Sequence, residues 1–73
     1  MATRDLGIGI VGLGFMGRRY ARFVTGIEGV RLAGVCDLDD RLAREVSAEF
    51  GGRVFADPVS MAAAPDVDAI AVC

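Results

Sequence analysis

This sequence predicts an α/β fold built on a doubly wound parallel sheet, and three observations carry the prediction. Short apolar runs alternate with segments of helical period, the pattern of strands joined by crossover helices. The first run, Leu6 to Val11, is compact and apolar, as expected of a strand buried on both faces. A glycine cluster, Gly12-Leu13-Gly14-Phe15-Met16-Gly17, separates that run from the first helical segment. The expected chain order is βαβαβαβ. The expected strand order is 3-2-1-4, a partial sheet truncated after strand four.

Each element has its own justification. From Phe15 the spacing changes to threes and fours: Met16, Tyr20, Phe23, Val24 and Ile27 form one helix face. Met16 thus belongs to a buried stripe, with Arg18, Arg19 and Arg22 on the polar face and Gly29 as C-cap. Val30 to Cys36 is the second strand. Asp39 or Asp40 then supplies an N-cap, and Leu42, Val46 and Phe50 at i, i+4 and i+8 mark the second helix. Gly51-Gly52 stops it, and Arg53 to Ala56 makes a short third strand. Asp57-Pro58 is a cap followed by a first-turn proline, opening an alanine-rich helix through Ala64. Pro65-Asp66 closes that helix, and Val67 to Cys73 is the fourth strand.

Composition narrows the chemistry. Ten acidic and eight basic residues give a net charge of −2, which offers no basic surface for nucleic acid and no polybasic membrane anchor. All eight bases are Arg, with no Lys and no His. Without an imidazole or an ε-amine, most acid–base and nucleophilic schemes are excluded for these residues. No catalytic or metal-binding residue is assigned. No run approaches the roughly 20 apolar residues of a membrane-spanning helix, and Met1 to Asp5 does not open a signal peptide. The two cysteines therefore read as reduced thiols of a cytoplasmic protein. In the order 3-2-1-4 the strands ending in Cys36 and Cys73 flank strand one, roughly 9.6 Å apart. A disulfide needs Cα atoms within about 7 Å, so the thiols stay separate. Apolar residues make up 53% of the 73, and ten more are Gly, a high share for a chain that short. Residues 1–73 read as a partial domain whose surface expects further protein, with any substrate domain absent.

The glycine cluster carries the chemistry. It fits G-x-G-x-x-G, a pattern that by itself can be a plain strand-to-helix turn. Here it follows a strand, opens a helix and lies in a βαβ unit of about 30 residues, the context of a dinucleotide site. Gly12 permits the tight turn, Gly14 lets backbone approach a pyrophosphate, and Gly17 lets the helix pack on the strand. The free N–H groups near Phe15 and Met16 then face the phosphates at the positive end of the helix dipole. Asp37 ends the second strand twenty residues after Gly17, where a ribose-binding carboxylate is expected. Its charge repels a 2′-phosphate and favours NAD. Arg41, four residues on, is placed to reach such a phosphate, so NADP is the alternative. The cofactor-binding set is Gly12, Leu13, Gly14, Phe15, Met16, Gly17, Asp37 and Arg41. Cys73 joins it at the carboxyl edge of the sheet, and Cys36 is a packing residue.

With these residues placed, the chain resembles the N-terminal, Rossmann-fold part of the glucose–fructose oxidoreductase / inositol dehydrogenase / MocA family. The resemblance runs through Ile8 to Gly17, Gly29 to Asp37, Ala48 to Gly51, Val54 to Asp57 and Asp66 to Val72. It implies a cytoplasmic, often oligomeric NAD(P)-dependent oxidoreductase acting on sugars, polyols and related compounds. It also implies a Thr-Pro turn and a catalytic Lys in a Glu-Lys-Pro segment, both beyond Cys73, so these residues alone are expected to be inactive. Where the family often carries a His after the third glycine, this chain has Arg18-Arg19-Tyr20. A rival is the β-hydroxyacid dehydrogenase family, which shares a Gly-Leu-Gly-x-Met-Gly loop but commonly ends its second strand in an Asn-Arg turn. A third reading is a non-catalytic dinucleotide sensor, since many functions share one fold.

Overall fold

The computed structural model describes residues 5–73. Its elements are β1 (Leu6–Val11), α1 (Phe15–Thr25), β2 (Val30–Cys36), α2 (Asp40–Phe50), β3 (Arg53–Val54), α3 (Pro58–Ala63) and β4 (Ala69–Val72). The four strands form one sheet in the order β3-β2-β1-β4, every pair parallel. This is the doubly wound order expected from the sequence. Ile10 at the centre of β1 stands opposite Val35 of β2 and Ala71 of β4. The β1–β2 register shifts between Ile8 and Gly9, which leaves Ala33 as the extra residue of β2.

The core lies between the sheet and the pair α1 and α2. Ile10, Leu13, Ala21, Leu32, Val35, Ala43 and Val46 form it, with Ile8, Val24, Leu42, Phe50 and Val54 packed around them. The opposite face is built differently. A Cβ on Gly9 would lie 2.5 Å from the Met61 sulfur, and one on Gly34 would lie 2.6 Å from the Phe55 ring. Glycines on the strands thus make room for Met61 and Phe55, and Met61 is fully buried although α3 has only six residues.

The helix caps follow the sequence signals. Asp39 is the N-cap of α2 and accepts from the Leu42 N–H at 3.2 Å. Asp57 caps α3 and accepts from the Ser60 N–H at 2.7 Å, with Pro58 in the first turn. Each satisfies a backbone donor that a helix start leaves unpaired.

Four details depart from expectation. Most of the apolar stripe of α1 does not face the core: Met16, Tyr20, Phe23 and Ile27 are all exposed, and Phe23 keeps 68% of its surface. Of that stripe Val24 packs against the core, beside the buried Gly17 and Ala21. A Cβ on Gly17 would run into the Gly12 carbonyl oxygen, so the helix lies closest to the sheet along its smallest side chains. Arg18 stays at the surface as expected, where its guanidinium pairs with Glu49 of α2 at 2.7 Å. The C-cap of α1 is Gly26, whose N–H donates to the Phe23 carbonyl at 3.1 Å. Gly29, with φ +82°, turns the chain into β2. β3 is two residues long because its ladder ends once the Phe55 N–H has donated to the Val35 carbonyl. β4 begins at Ala69, since the Val67 N–H is taken by a turn to the Ala64 carbonyl.

Candidate functional site

The carboxyl ends of β1, β2 and β4 meet at one edge, and the glycine loop is threaded between them. Gly12 has φ +90°, a conformation glycine adopts without strain, and its N–H donates to the Cys36 carbonyl at 2.9 Å. A Cβ there would lie 2.7 Å from the Cys73 carbonyl oxygen, while the Cys73 N–H donates to the Val11 carbonyl at 2.9 Å. The Leu13 side chain, only 1% exposed, anchors the loop in the core.

Gly14 is the N-cap of α1, and no side chain caps it. No acidic residue occupies the first turn, whereas α2 and α3 both begin at a capping aspartate. The first N–H groups of a helix have no acceptor within it. A Cβ on Gly14 would meet nothing within 4 Å, so there is open space beside the residue at which those donors begin. An anion entering there meets bare N–H groups and the positive end of the helix dipole. Phe15 and Met16, both exposed, flank this opening, and the Arg19 guanidinium lies 5.6 Å from the Phe15 ring centroid.

Asp37 stands beside the loop and is attached to it. Its Oδ2 accepts from the Leu13 N–H at 2.6 Å and its Oδ1 from the Asp39 N–H at 2.8 Å. The Leu13 bond first, then the Asp39 bond, hold its carboxyl below the ordinary aspartate value, against a small opposing effect of burial. Leu38, the next residue, is wholly exposed, an apolar side chain at the mouth of the site that the sequence reading passed over. Its sequence signal is a lone apolar residue inside the acidic turn Asp37-Leu38-Asp39-Asp40.

The other candidates divide. Cys73 is an exposed thiol and its backbone borders Gly12. Cys36 is buried, and burial, followed by the charges of Asp57 and Asp37, pushes its thiol up. Neither forms a disulfide. Arg41 is not drawn toward Asp37: on α2 its guanidinium lies 3.4 Å from Glu45, one helical turn on. Among the described residues no three His, Cys, Asp or Glu side chains converge as metal ligands, and no helix is long and apolar enough to cross a membrane.

Residues 6–73 match the model of the Gfo/Idh/MocA oxidoreductase family, NAD-binding Rossmann fold. The chain belongs to this family. Inositol 2-dehydrogenase 1 of Saccharopolyspora erythraea, one of its relatives, is 41% identical over 68 residues, spanning 89% of this chain and 20% of that protein. Among solved structures, GenD2 from gentamicin A biosynthesis, in complex with NAD, superposes with a TM-score of 0.90 at 32% identity. That match covers 97% of this chain and 20% of the other. The myo-inositol dehydrogenase of Lactobacillus casei, in complex with NAD(H) and myo-inositol, gives 0.88 at 29% identity, over 94% of this chain and 21% of that one. The chain spans about a fifth of the length of the curated family members it matches.

Proposed function

We propose that these residues hold NAD for an oxidoreductase that moves hydride between the nicotinamide and a sugar, a polyol such as an inositol, or a related compound. The observation that carries the reading is the uncapped N-terminus of α1 opening on free space beside a carboxylate at the end of β2. The N–H groups at Gly14, Phe15 and Met16 bind the pyrophosphate. Asp37 accepts from the adenosine ribose hydroxyls, Leu38 offers its apolar side chain to the adenine, and Cys73 borders the cofactor. Bound NAD supplies the hydride acceptor. These residues contribute no Lys or His to exchange the accompanying proton, so that group comes from sequence beyond Cys73, together with the substrate contacts. The reading includes a cytoplasmic, homo-oligomeric enzyme of which residues 1–73 form the first part of the cofactor domain. NADP is disfavoured because the Asp37 carboxylate repels a 2′-phosphate, while the exposed Arg41 guanidinium lies beside Glu45 and not beside Asp37.

Gly14→Val tests the site in the full-length protein. Gly14 has φ −68° and an added Cβ meets nothing, so the fold accepts the substitution while the branched side chain fills the space for the pyrophosphate. Calorimetric titration should show NAD affinity falling by about 100-fold or more, roughly 2.8 kcal/mol, with the melting midpoint unchanged. In the wild type NAD should bind more tightly than NADP. Unchanged NAD binding in the variant would make the loop a turn and nothing more.

A further inference from the structure

We infer that Asp37 is also a positioning residue: its carboxylate holds the glycine loop in shape for the pyrophosphate, apart from any contact with the ribose. The inference rests on the reading of Asp37 as the ribose carboxylate and extends it.

The geometry is that of a clamp. Asp37 and Leu13 are 24 residues apart in sequence, yet Oδ2 and the Leu13 nitrogen are 2.6 Å apart. The other oxygen takes the Asp39 N–H, which fixes the carboxylate plane against the turn between β2 and α2. Backbone bonds hold both ends of the loop: Gly12 to the Cys36 carbonyl, and the Arg18 N–H to the Gly14 carbonyl at 3.0 Å. Between them, Asp37 makes the only side-chain hydrogen bond to the loop among the described residues. Since α1 has no side-chain cap, no other side chain among the described residues steadies its entry by a hydrogen bond. An ionised carboxylate has about four acceptor positions, and the two backbone donors use two. Two remain for the ribose hydroxyls, so one group can hold the loop and read the sugar at once.

A consequence follows for cofactor exchange. Removing the Asp37 charge to admit a 2′-phosphate also releases Leu13, and the looser loop must be ordered on binding. Ordering costs affinity toward any dinucleotide, whatever its ribose carries.

The two roles separate when the hydroxyls are removed from the cofactor. Wild type, Asp37→Ala and Asp37→Asn of the full-length protein are each titrated with NAD and with an NAD analogue lacking the 2′ and 3′ hydroxyls of the adenosine ribose. Hydrogen exchange is followed over Gly12–Gly17 and over β2. Positioning predicts that Asp37→Ala binds the analogue about 5- to 30-fold more weakly than the wild type does. Asp37→Asn, which keeps one acceptor oxygen, should fall between. Exchange should rise across the loop and stay unchanged in β2, where a general loss of stability would raise both. Equal affinity of the wild type and Asp37→Ala for the analogue overturns the inference. If wild type binds NAD and the analogue equally, the ribose assignment fails instead, and the alanine variant still decides the clamp. Should Asp37→Ala fail to fold, the asparagine variant carries the same comparison.

Discussion

Asp37 and Asp57 perform the same physical task at two places, each accepting backbone N–H groups that the chain would otherwise leave unpaired. The Leu13 bond, then the Asp39 bond, lowers Asp37 from its ordinary value of 3.8, and the Ser60 N–H leads the lowering of Asp57. The sign follows from linkage. A carboxyl whose folded value lies below its unfolded value adds stability that is fully present above the unfolded value. That stability is lost as pH falls through the lower folded value. Denaturant midpoints should therefore hold steady from neutrality down to about pH 4 and decline below it. Asp37→Asn and Asp57→Asn should each lower the plateau and shallow the acid decline. A decline of the same steepness in both variants would mean that other carboxyls govern acid stability. The Asp57 cap could be read from Asp-Pro in the sequence, because a cap is a local bond. The Asp37–Leu13 bond could not, because it joins residues 24 apart through a loop whose path only the fold determines.

At the scale of elements, α1 shows why legibility was uneven. Strand and helix order followed from apolar runs and caps, and those signals are carried by large or polar side chains. The docking face of α1 is carried by Gly17 and Ala21, which register weakly in any hydrophobic pattern. The stripe formed by Met16, Tyr20, Phe23 and Ile27 has the right period but is turned away from the sheet. Size decides: at Gly17 the helix approaches the Gly12 carbonyl so closely that no Cβ would fit. The two faces should answer mutation in opposite ways. Ala21 is wholly buried, so Ala21→Leu overpacks the joint and should cost about 1–3 kcal/mol in urea unfolding of the dilute 73-residue chain. Phe23→Ser on the outer face should stay within about 0.5 kcal/mol of wild type. The reverse ranking would mean that α1 docks through its large side chains after all.

For the whole molecule, the sheet order was legible because the glycine motif and the parallel crossovers leave few topologies open. The apolar excess was legible only as a quantity, and the structure gives it places. Phe15, Tyr20 and Phe23 lie along α1, and Val72 lies on β4, which among the described residues pairs with β1 alone. An unpaired parallel strand beside exposed apolar side chains is a template for further strands. The 73-residue chain on its own should therefore associate with itself. Sedimentation velocity over a concentration series should show its mean size rising. Combining Phe23→Ser with Val72→Lys should move it toward the monomer, the lysine by blunting the edge and the serine by breaking the apolar stripe. The same preparation should form no NADH from NAD and inositol, since no Lys or His is present to take the proton. A chain that stays monomeric throughout, or that reduces NAD with inositol, would show that these residues complete a surface and a site that the fold leaves open.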